Sequence, residues 1–242
     1  MLLVRFAPCV LFVRQAVGKD QHPDLDWRGD VPIARRFDDP YFSLEDGWAE
    51  TRHVFLDGNG LPWRFADGFQ IAELGFGTGL NAFAALAAWR AAEVKGTLNF
   101  TSFERYPMAA DQMTRALSVY PDLAALAEPF LACAGDWRDP VALDGFRLEV
   151  IVGDARTTLA DWRGQADAWF LDGFAPSRNP EMWQDDLLRD IARHTPAGGT
   201  LATYTAAGAV RRGLEAAGFL IERRPGFGRK RHMTAGWLPR DD

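Results

Sequence analysis

The chain has 242 residues, a formal net charge of −6 and 48% apolar residues. This length fits one large domain, and the 25% charged and 12% aromatic residues argue against a disordered chain. No segment approaches the roughly 20 apolar residues of a membrane span, and the negative charge argues against coating of nucleic acid by bulk charge.

Cysteine and histidine placement argues against a disulfide framework and a metal centre. The two cysteines, Cys9 and Cys133, lie far apart in the sequence, and the four histidines are scattered. No cysteine or histidine pair has the spacing of a zinc site. We therefore expect no metal and a reducing, cytoplasmic location.

The N-terminal region shows no helical or strand period. Residues 1–13 are only superficially like a signal peptide, because Arg5 interrupts the apolar run and no small-residue cleavage site follows. We predict a poorly ordered leader over residues 1–31 and one folded domain over residues 32–242. The sequence ends at Asp242, so we expect either a stand-alone domain or one part of a longer chain.

Two short apolar segments come next, at residues 51–56 and 61–65. A turn cluster, Asp57-Gly-Asn-Gly60, separates them. This arrangement predicts a β-hairpin. The aromatic-rich segment 41–48 before it is compatible with packing or with a cover over a ligand.

From residue 69 onwards, apolar strand segments alternate with helical segments. Five predicted strands cover residues 69–74, 99–103, 148–152, 168–171 and 200–204. Residues 106–137 predict a helical insertion broken by Pro121 and Pro129. Two final strands, 219–223 and 233–238, predict a terminal hairpin. The order predicts a Rossmann-like α/β fold, with a mostly parallel seven-stranded sheet and helices on both faces.

The sharpest local motif is Glu73-Leu-Gly-Phe-Gly-Thr-Gly79, at a strand-to-helix junction. Glycines allow a tight turn and bring the backbone close to a ligand, although structural turns use the same residues. A dinucleotide-binding turn has the spacing G-x-G-x-x-G, and Leu80 stands where its third glycine would be. The spacing G-x-G-x-G after an acid is typical of class I methyltransferases, which bind S-adenosylmethionine.

Acids follow the next predicted strands. Glu104, Asp154 and Asp172 come directly after or shortly after the strands ending at residues 103, 152 and 171. Ligands of open α/β sheets bind outside the carboxyl ends of the strands. Each acid alone is equally compatible with a helix cap or a solvated loop, but together with Glu73 they favour a ligand site.

The segment Asp172-Gly-Phe-Ala-Pro176 lies where methyltransferases acting on amines often carry an Asn/Asp-Pro-Pro-aromatic motif. A carboxylate that accepts an N–H can aim the lone pair of a nitrogen nucleophile, and Phe174 and Pro176 would form an apolar wall beside a flat ring. A glycine/proline turn capped by Asp172 is the structural alternative.

Several longer stretches together resemble the methyltransferase domain of the MnmC family of tRNA modification proteins. They include Phe37-Asp-Asp-Pro-Tyr-Phe-Ser43, Ser102-Phe-Glu-Arg-Tyr-Pro107, Asp167-Ala-Trp-Phe-Leu-Asp-Gly-Phe-Ala-Pro176 and Pro225-Gly-Phe-Gly-Arg-Lys-Arg231. The resemblance covers residues 32–238. The segment between Trp137 and Leu148 is shorter than is usual in the family.

The resemblance implies methylation, dependent on S-adenosylmethionine, of the aminomethyl group of 5-aminomethyl-(2-thio)uridine at the tRNA wobble position. It implies that Asp172 is catalytic. The implied cofactor-binding residues are Glu73, Gly75, Phe76, Gly77, Gly79, Asn81, Glu104, Asp154 and Asp172. Many relatives carry an additional FAD-dependent oxidase domain that makes the aminomethyl precursor, so a separate oxidase is an expected partner here.

A basic cluster near the C-terminus is the predicted contact with tRNA. Arg229, Lys230 and Arg231 are its core, and Phe174 and Pro176 complete the predicted substrate-binding set. Phosphate contacts by these residues would make affinity fall steeply with salt. From composition alone, a solvated basic strand face explains the cluster equally well.

Two alternatives to this function stay open at this point. One is a class I methyltransferase that acts on another amine, in a small molecule or a protein. The other is a nucleotide-binding scaffold without catalysis. A dinucleotide-dependent oxidoreductase is a more distant third.

Overall fold

A computed structural model describes residues 22–43, 45–134, 137 and 139–240. The chain begins there with a small antiparallel sheet of β1 (Leu25–Arg28), β2 (Val31–Ala34) and β3 (Asp39–Pro40). The guanidinium of Arg115 lies 4.0 Å from the ring centroid of Trp27 on β1. The boundary predicted at residue 31 thus falls at the second strand of a packed hairpin, and residues 1–21 lie outside the described residues.

The predicted hairpin at residues 51–65 is wrong, because residues 51–59 are helical and residues 60–64 form turns. Helix α1 (Gly47–Thr51) continues into a π-helical turn over Arg52–Leu56 and a 3₁₀ turn over Asp57–Asn59. Asp46 caps the start by accepting a hydrogen bond from the Ala49 amide at 2.9 Å. Thr51, Val54 and Phe55 are all buried, and this i, i+3, i+4 spacing is that of a helix face.

The main sheet has eight strands. After β4 (Gln70–Leu74) come β5 (Leu98–Glu104), β6 (Val141–Leu143), β7 (Phe146–Val152), β8 (Ala168–Leu171), β9 (Thr200–Thr203), β10 (Leu220–Pro225) and β11 (His232–Trp237). Their spatial order is β10-β11-β9-β8-β4-β5-β7-β6. The five strands from β9 to β7 are parallel, while β11 is antiparallel to both of its neighbours.

The seven predicted strands are confirmed, and β6 is an addition that the sequence analysis missed. It is a three-residue edge strand paired antiparallel to β7. The turn between them is Asp144-Gly145, and both residues have positive φ, at 46° and 74°. An Asp-Gly pair of this kind is the usual signal of a two-residue hairpin.

Helices cover both faces of the sheet, as predicted. They are α2 (Leu80–Ala91), α3 (Ala110–Leu117), α4 (Pro121–Ala134), α5 (Ala155–Asp161), α6 (Asp185–Arg193) and α7 (Gly208–Ala216). The predicted helical insertion is α3 and α4; Pro121 begins α4, but Pro129 lies inside it without ending it.

Successive residues of β8 point to opposite faces of the sheet. Ala168 and Phe170 join the apolar cluster under α2, α3 and α4, whereas Trp169 and Leu171 join the cluster under α5, α6 and α7. The sheet is therefore buried on both sides, and its strand ends are left to form a site. In the described part of the chain, no helix has both the length and the apolarity needed to cross a bilayer.

Candidate active site

A cavity of about 480 Å³ opens at the carboxyl ends of the parallel strands. Its walls come from the loops after β4, β5, β7 and β8, from residues near α1 and from the loop between β10 and β11. This is the edge at which open α/β sheets bind ligands. Its volume lies within the range of roughly 300–1,000 Å³ found for small-molecule sites.

The glycine-rich loop after β4 needs its glycines. Gly77 and Gly79 have φ values of 53° and 76°, in the left-handed region that favours glycine. A Cβ on Gly77 would lie 2.9 Å from Cδ1 of Tyr41, and one on Gly79 would lie 2.9 Å from Cε of Met113. Phe76 and Gly77 line the cavity, and so does Gly75, whereas Gly79 packs behind them.

Glu104, the last residue of β5, holds this loop. Its Oε2 accepts a hydrogen bond from the Gly77 amide at 3.0 Å, and its Oε1 accepts one from the Tyr106 amide at 2.7 Å. Burial raises the pKa of Glu104, while the backbone N–H donors act in the opposite direction. The Glu104 carboxylate lines the cavity beside the glycine-rich loop, where it can accept hydrogen bonds from a ligand.

Asn81, in the first turn of α2, connects two acids. Its Nδ2 donates to Oε1 of Glu73 and to Oδ2 of Asp172, both at 2.8 Å. Its Oδ1 accepts a hydrogen bond from Oγ1 of Thr51 at 2.8 Å. Every hydrogen of the amide is therefore used to fix a carboxylate.

Glu73 lies behind this amide and not on the cavity wall. It is fully buried within β4 and accepts a second hydrogen bond from Oγ of Ser102 at 2.6 Å. Burial raises its pKa well above the ordinary value, and the bonds from Ser102 and Asn81 oppose that rise. The sequence analysis expected Glu73 to meet a ligand directly or through water; the structure connects it to the cavity through Asn81.

Asp172 lines the cavity at the end of β8. Its Oδ1 accepts a hydrogen bond from the Gly173 amide at 2.8 Å, and its Oδ2 accepts the one from Asn81. Burial raises the pKa of Asp172 to about 6, with the two donors opposing the rise. A carboxyl group with this pKa is a carboxylate at neutral pH that can still take up a proton.

Asp154 is both a helix cap and a cavity residue. It accepts a hydrogen bond from the Arg156 amide at the start of α5, and its Oδ2 lies 2.6 Å from the Arg156 guanidinium and 3.1 Å from that of Arg105. Its hydrogen bonds with Arg156 lower its pKa. This carboxylate therefore forms ion pairs with two arginines at the rim of the cavity.

An aromatic wall faces the carboxylates. The ring of Phe174 stacks on Phe37 at a centroid distance of 4.4 Å and meets Tyr41 edge-on at 5.2 Å. The hydroxyl of Tyr204 donates to the carbonyl of Gly173 at 2.8 Å. Pro176, predicted for this wall, does not line the cavity.

Comparisons with known proteins bear on this site. Residues 125–239 match a family model described as S-adenosyl-L-methionine-dependent methyltransferase. The tRNA 5-methylaminomethyl-2-thiouridine biosynthesis bifunctional protein MnmC of Chromohalobacter salexigens is 44% identical over 239 residues, which is 91% of this chain and 34% of that protein. Its namesake from Caulobacter vibrioides is 46% identical over 226 residues, 89% of this chain and 38% of that protein.

Over about nine tenths of its length, the chain is similar to the methyltransferase domain of MnmC proteins. It spans about a third of the length of these MnmC proteins. The crystal structure of MnmC2 from Aquifex aeolicus aligns with 94% of this chain and 75% of its own, at a TM-score of 0.71 and 24% identity. The predicted fold class is thereby confirmed.

The basic residues predicted for MnmC-type tRNA contact divide into two groups. Nζ of Lys230 lies 2.7 Å from Oε1 of Glu50, and Nε of Arg229 lies 3.1 Å from Oε1 of Glu45, so both are paired within the chain. Arg231 is exposed and lies outside the cavity wall.

Arg231 belongs instead to a basic patch with Arg211 on α7 and Arg223 on β10. None of the three forms an ion pair within the described residues. Burial and the charges of these arginines lower the pKa of His232. We call Arg211, Arg223 and Arg231 the basic patch.

The sequence analysis did not assign Phe37, Tyr41, Glu50 or Tyr204 to the site, although all four line the cavity. Phe37, Tyr41 and Glu50 come from the segment before β4, in the stretches that carry the family resemblance, and Tyr204 follows β9. Their position on the cavity depends on tertiary folding, which spacing along the chain does not reveal. Within the described residues, no group of three or more His, Cys, Asp or Glu side chains is arranged to hold a metal ion.

Proposed function

We propose that this protein transfers a methyl group from S-adenosylmethionine to the amine of 5-aminomethyl-(2-thio)uridine at the tRNA wobble position, giving 5-methylaminomethyl-(2-thio)uridine. The observation that carries the proposal is the placement of Asp172. Its carboxylate is fixed by Asn81 and the Gly173 amide, next to the glycine-rich loop and beside the ring of Phe174. The names of the MnmC relatives agree with this product.

The cavity suits S-adenosylmethionine by the chemistry of its lining. That molecule has a cationic sulfonium and ammonium, two ribose hydroxyls and an adenine, and the cavity presents carboxylates and a glycine loop that leaves no room for a Cβ at Gly77. When bound, it supplies a methyl group on sulfonium. We assign Glu104 to the ribose hydroxyls and Asp154 to the adenine amino group.

The remaining cofactor contacts follow from the loop and from Asn81. Gly75, Phe76 and Gly77 bring backbone to the cavity wall, while Gly79 allows the chain to turn into α2. Glu73 contributes by fixing Asn81, not by direct contact. In this assignment the backbone shapes the cofactor site and the acids select a cationic ligand.

Asp172 handles the proton that must leave before methyl transfer. A simple alkylamine has a pKa near ~10.4, so deprotonating it at pH 7 costs roughly 4–5 kcal/mol. The carboxylate of Asp172 would accept one proton from the substrate ammonium, which would free the nitrogen lone pair for the methyl group that the bound donor would supply. The product keeps its two remaining N–H hydrogens as a secondary ammonium, and Asp172 returns its proton to water.

Phe174 is placed to orient the target base. Its ring stacks on Phe37 and meets Tyr41 edge-on, so it is held in place as an apolar surface on the cavity wall. A pyrimidine that lies against this surface presents its 5-substituent towards the carboxylates. Holding the amine in line with the methyl group supplies a large share of the acceleration.

We propose that the basic patch binds tRNA phosphates. Strand β10 runs parallel to β9, because each is antiparallel to β11, so its end at Pro225 reaches the same sheet edge as the cavity. Arg211, Arg223 and Arg231 therefore lie beside the site. Arg229 and Lys230 are occupied by Glu45 and Glu50 and serve a different purpose.

The substrate must first acquire its aminomethyl group. We propose that an FAD-dependent oxidase activity, on the same polypeptide or another, supplies this aminomethyl precursor. The name of the relatives, a bifunctional biosynthesis protein, supports such a pairing of activities.

The test is transfer of a labelled methyl group to undermodified tRNA, compared with a panel of free amine metabolites. We expect label in tRNA only, and none with Asp172→Asn, while calorimetry still detects binding of the methyl donor to that variant. Label in metabolites but not in tRNA would contradict the proposed substrate. Normal turnover by Asp172→Asn would contradict the role of Asp172.

A further inference from the structure

Glu50 is a further carboxylate on the cavity wall, and a chain of contacts holds it on one side. Its Oε1 lies 2.7 Å from Nζ of Lys230, and its side chain is only 13% exposed. The Lys230 ammonium lies 4.0 Å from the ring centroid of Tyr204. Tyr204 in turn donates to the carbonyl of Gly173, the residue that follows Asp172.

On the other side, the backbone continues from Glu50 to Thr51. Thr51 donates to Asn81, and Asn81 donates to Asp172, each at 2.8 Å. The contacts therefore close a ring around the cavity. Glu50 and Asp172 are the two carboxylates of this ring, and both face the same space.

The charges in this ring do not cancel. Two carboxylates and one ammonium leave an excess of one negative charge at the place where the acceptor amine must bind. Glu50, Lys230 and Asp172 all line the same cavity, and both Glu50 and Lys230 act electrostatically on Asp172. A substrate with one positive charge neutralises this excess negative charge.

We propose that Glu50 is the specificity-determining carboxylate of the acceptor site and binds the substrate aminomethyl group as a cation. This inference rests on the proposed function and deepens it. The substrate ammonium donates one N–H to Glu50 and another to Asp172, which removes that proton before transfer. Lys230 holds Glu50 in position before the substrate arrives, and the ring of Tyr204 retains the lysine when Glu50 turns to its new partner.

Glu45 provides a matched control. Like Glu50, it lies near α1 and pairs with a cation of the loop between β10 and β11, here Arg229 at 3.1 Å. Its side chain also lines the cavity but is 54% exposed, compared with 13% for Glu50. Glu45→Gln therefore removes a similar ion pair with this loop and leaves the contacts of the ring in place.

The experiment uses two synthetic anticodon stem-loop RNAs, one with 5-aminomethyluridine at the wobble position and one with 5-hydroxymethyluridine. Kd for each RNA, and KM and kcat for the first, are measured for wild type, Glu50→Gln, Glu50→Asp and Glu45→Gln. A charge-assisted hydrogen bond contributes about 10- to 100-fold in affinity. We expect Glu50→Gln to raise Kd and KM for the aminomethyl RNA by that factor and to leave Kd for the hydroxymethyl RNA unchanged.

Glu50→Asp, which keeps the charge, should recover part of the loss, and Glu45→Gln should show none of it. The unchanged Kd for the hydroxymethyl RNA also verifies that the variant is folded. Equal losses on both RNAs, or the same loss in Glu45→Gln, would overturn the assignment of Glu50 alone. A wild type that methylates neither RNA would overturn the proposed function and this inference with it.

Discussion

Asn81 donates one amide hydrogen to Oδ2 of Asp172 at 2.8 Å, and its other amide hydrogen goes to the buried Glu73. The acid that opens the glycine-rich motif and the acid that opens the Asp172-Gly-Phe-Ala-Pro176 segment are thus fixed by the same side chain. This explains how a fully buried glutamate contributes to a cavity it does not line.

Asn81→Ala should therefore damage both the site and the fold. Asp172 loses a donor that lowers its pKa, so the acidic limb of the pH–rate profile should move above pH 6. The buried Glu73 keeps Ser102 but loses Asn81, which costs about 1–3 kcal/mol of unfolding free energy. Urea denaturation and a pH–rate profile measure the two effects.

Asn99→Ala is the control for that variant. Asn99 donates only a surface hydrogen bond, to the carbonyl of Gly68 at 3.3 Å. It should leave the pH profile in place and cost little stability. An unchanged acidic limb in Asn81→Ala would show that this amide does not tune Asp172.

The proposed role of Asp172 predicts a defined pH dependence. Its folded-state pKa is raised to about 6, so the group is protonated below that pH and cannot take a proton from the substrate. For the wild type, kcat/KM for the aminomethyl RNA should fall about tenfold per pH unit below 6 and be flat from there to the pKa of the substrate amine. A profile that shows no limb near 6 would exclude Asp172 as the proton acceptor.

Gly77→Ala should weaken binding of the methyl donor. The added Cβ would lie 2.9 Å from Tyr41, so either the loop or the aromatic wall must move. Gly68→Ala is the matched control, because Gly68 also has a positive φ, at 78°, but a Cβ there meets nothing within 4 Å. Both variants share a backbone strain of about 1 kcal/mol, so calorimetric donor affinity should fall in Gly77→Ala alone.

Neutralising the basic patch should weaken RNA binding in a salt-dependent way. For Arg211→Gln/Arg223→Gln, we expect Kd for undermodified tRNA to rise about tenfold or more. The slope of log Kd against log salt should fall by about 1 for each phosphate that the variant no longer neutralises. Fluorescence anisotropy over a salt series measures both.

The control for the patch is Arg90→Gln/Arg147→Gln. Arg90 ends α2 and Arg147 lies near the start of β7, both at the opposite edge of the sheet from the cavity. This variant removes the same charge and should keep the wild-type slope. Equal slopes in all three proteins would place the RNA contact elsewhere.

The parallel core of the fold could be predicted because its pattern is local. Strand β8 is a short apolar run, and helix α6 repeats its buried residues Leu187, Leu188 and Ile191 at helical spacing. The segment 51–59 was misjudged because Val54, Phe55 and Leu56 form an apolar run that fits a strand or a buried helix equally well. Burial of Thr51 against α2 and of Asn59 against β8 favours the helix.

The acids of the site could be predicted from the sequence, but the contacts between its side chains could not. Glu104, Asp154 and Asp172 follow strand ends, and topology brings strand ends together. Glu73 lies inside β4, so it is buried although it belongs to the same motif. The pairing of Lys230 with Glu50 joins positions 180 residues apart, and no sequence spacing carries that information.

Nucleoside mass analysis of undermodified tRNA, after incubation with the protein and S-adenosylmethionine, tests the central claim most directly. The proposal predicts that 5-aminomethyl-2-thiouridine disappears and that 5-methylaminomethyl-2-thiouridine appears in equal amount, with every other nucleoside unchanged. Persistence of the aminomethyl nucleoside in the presence of bound methyl donor, or a methyl group on any other nucleoside, would contradict it.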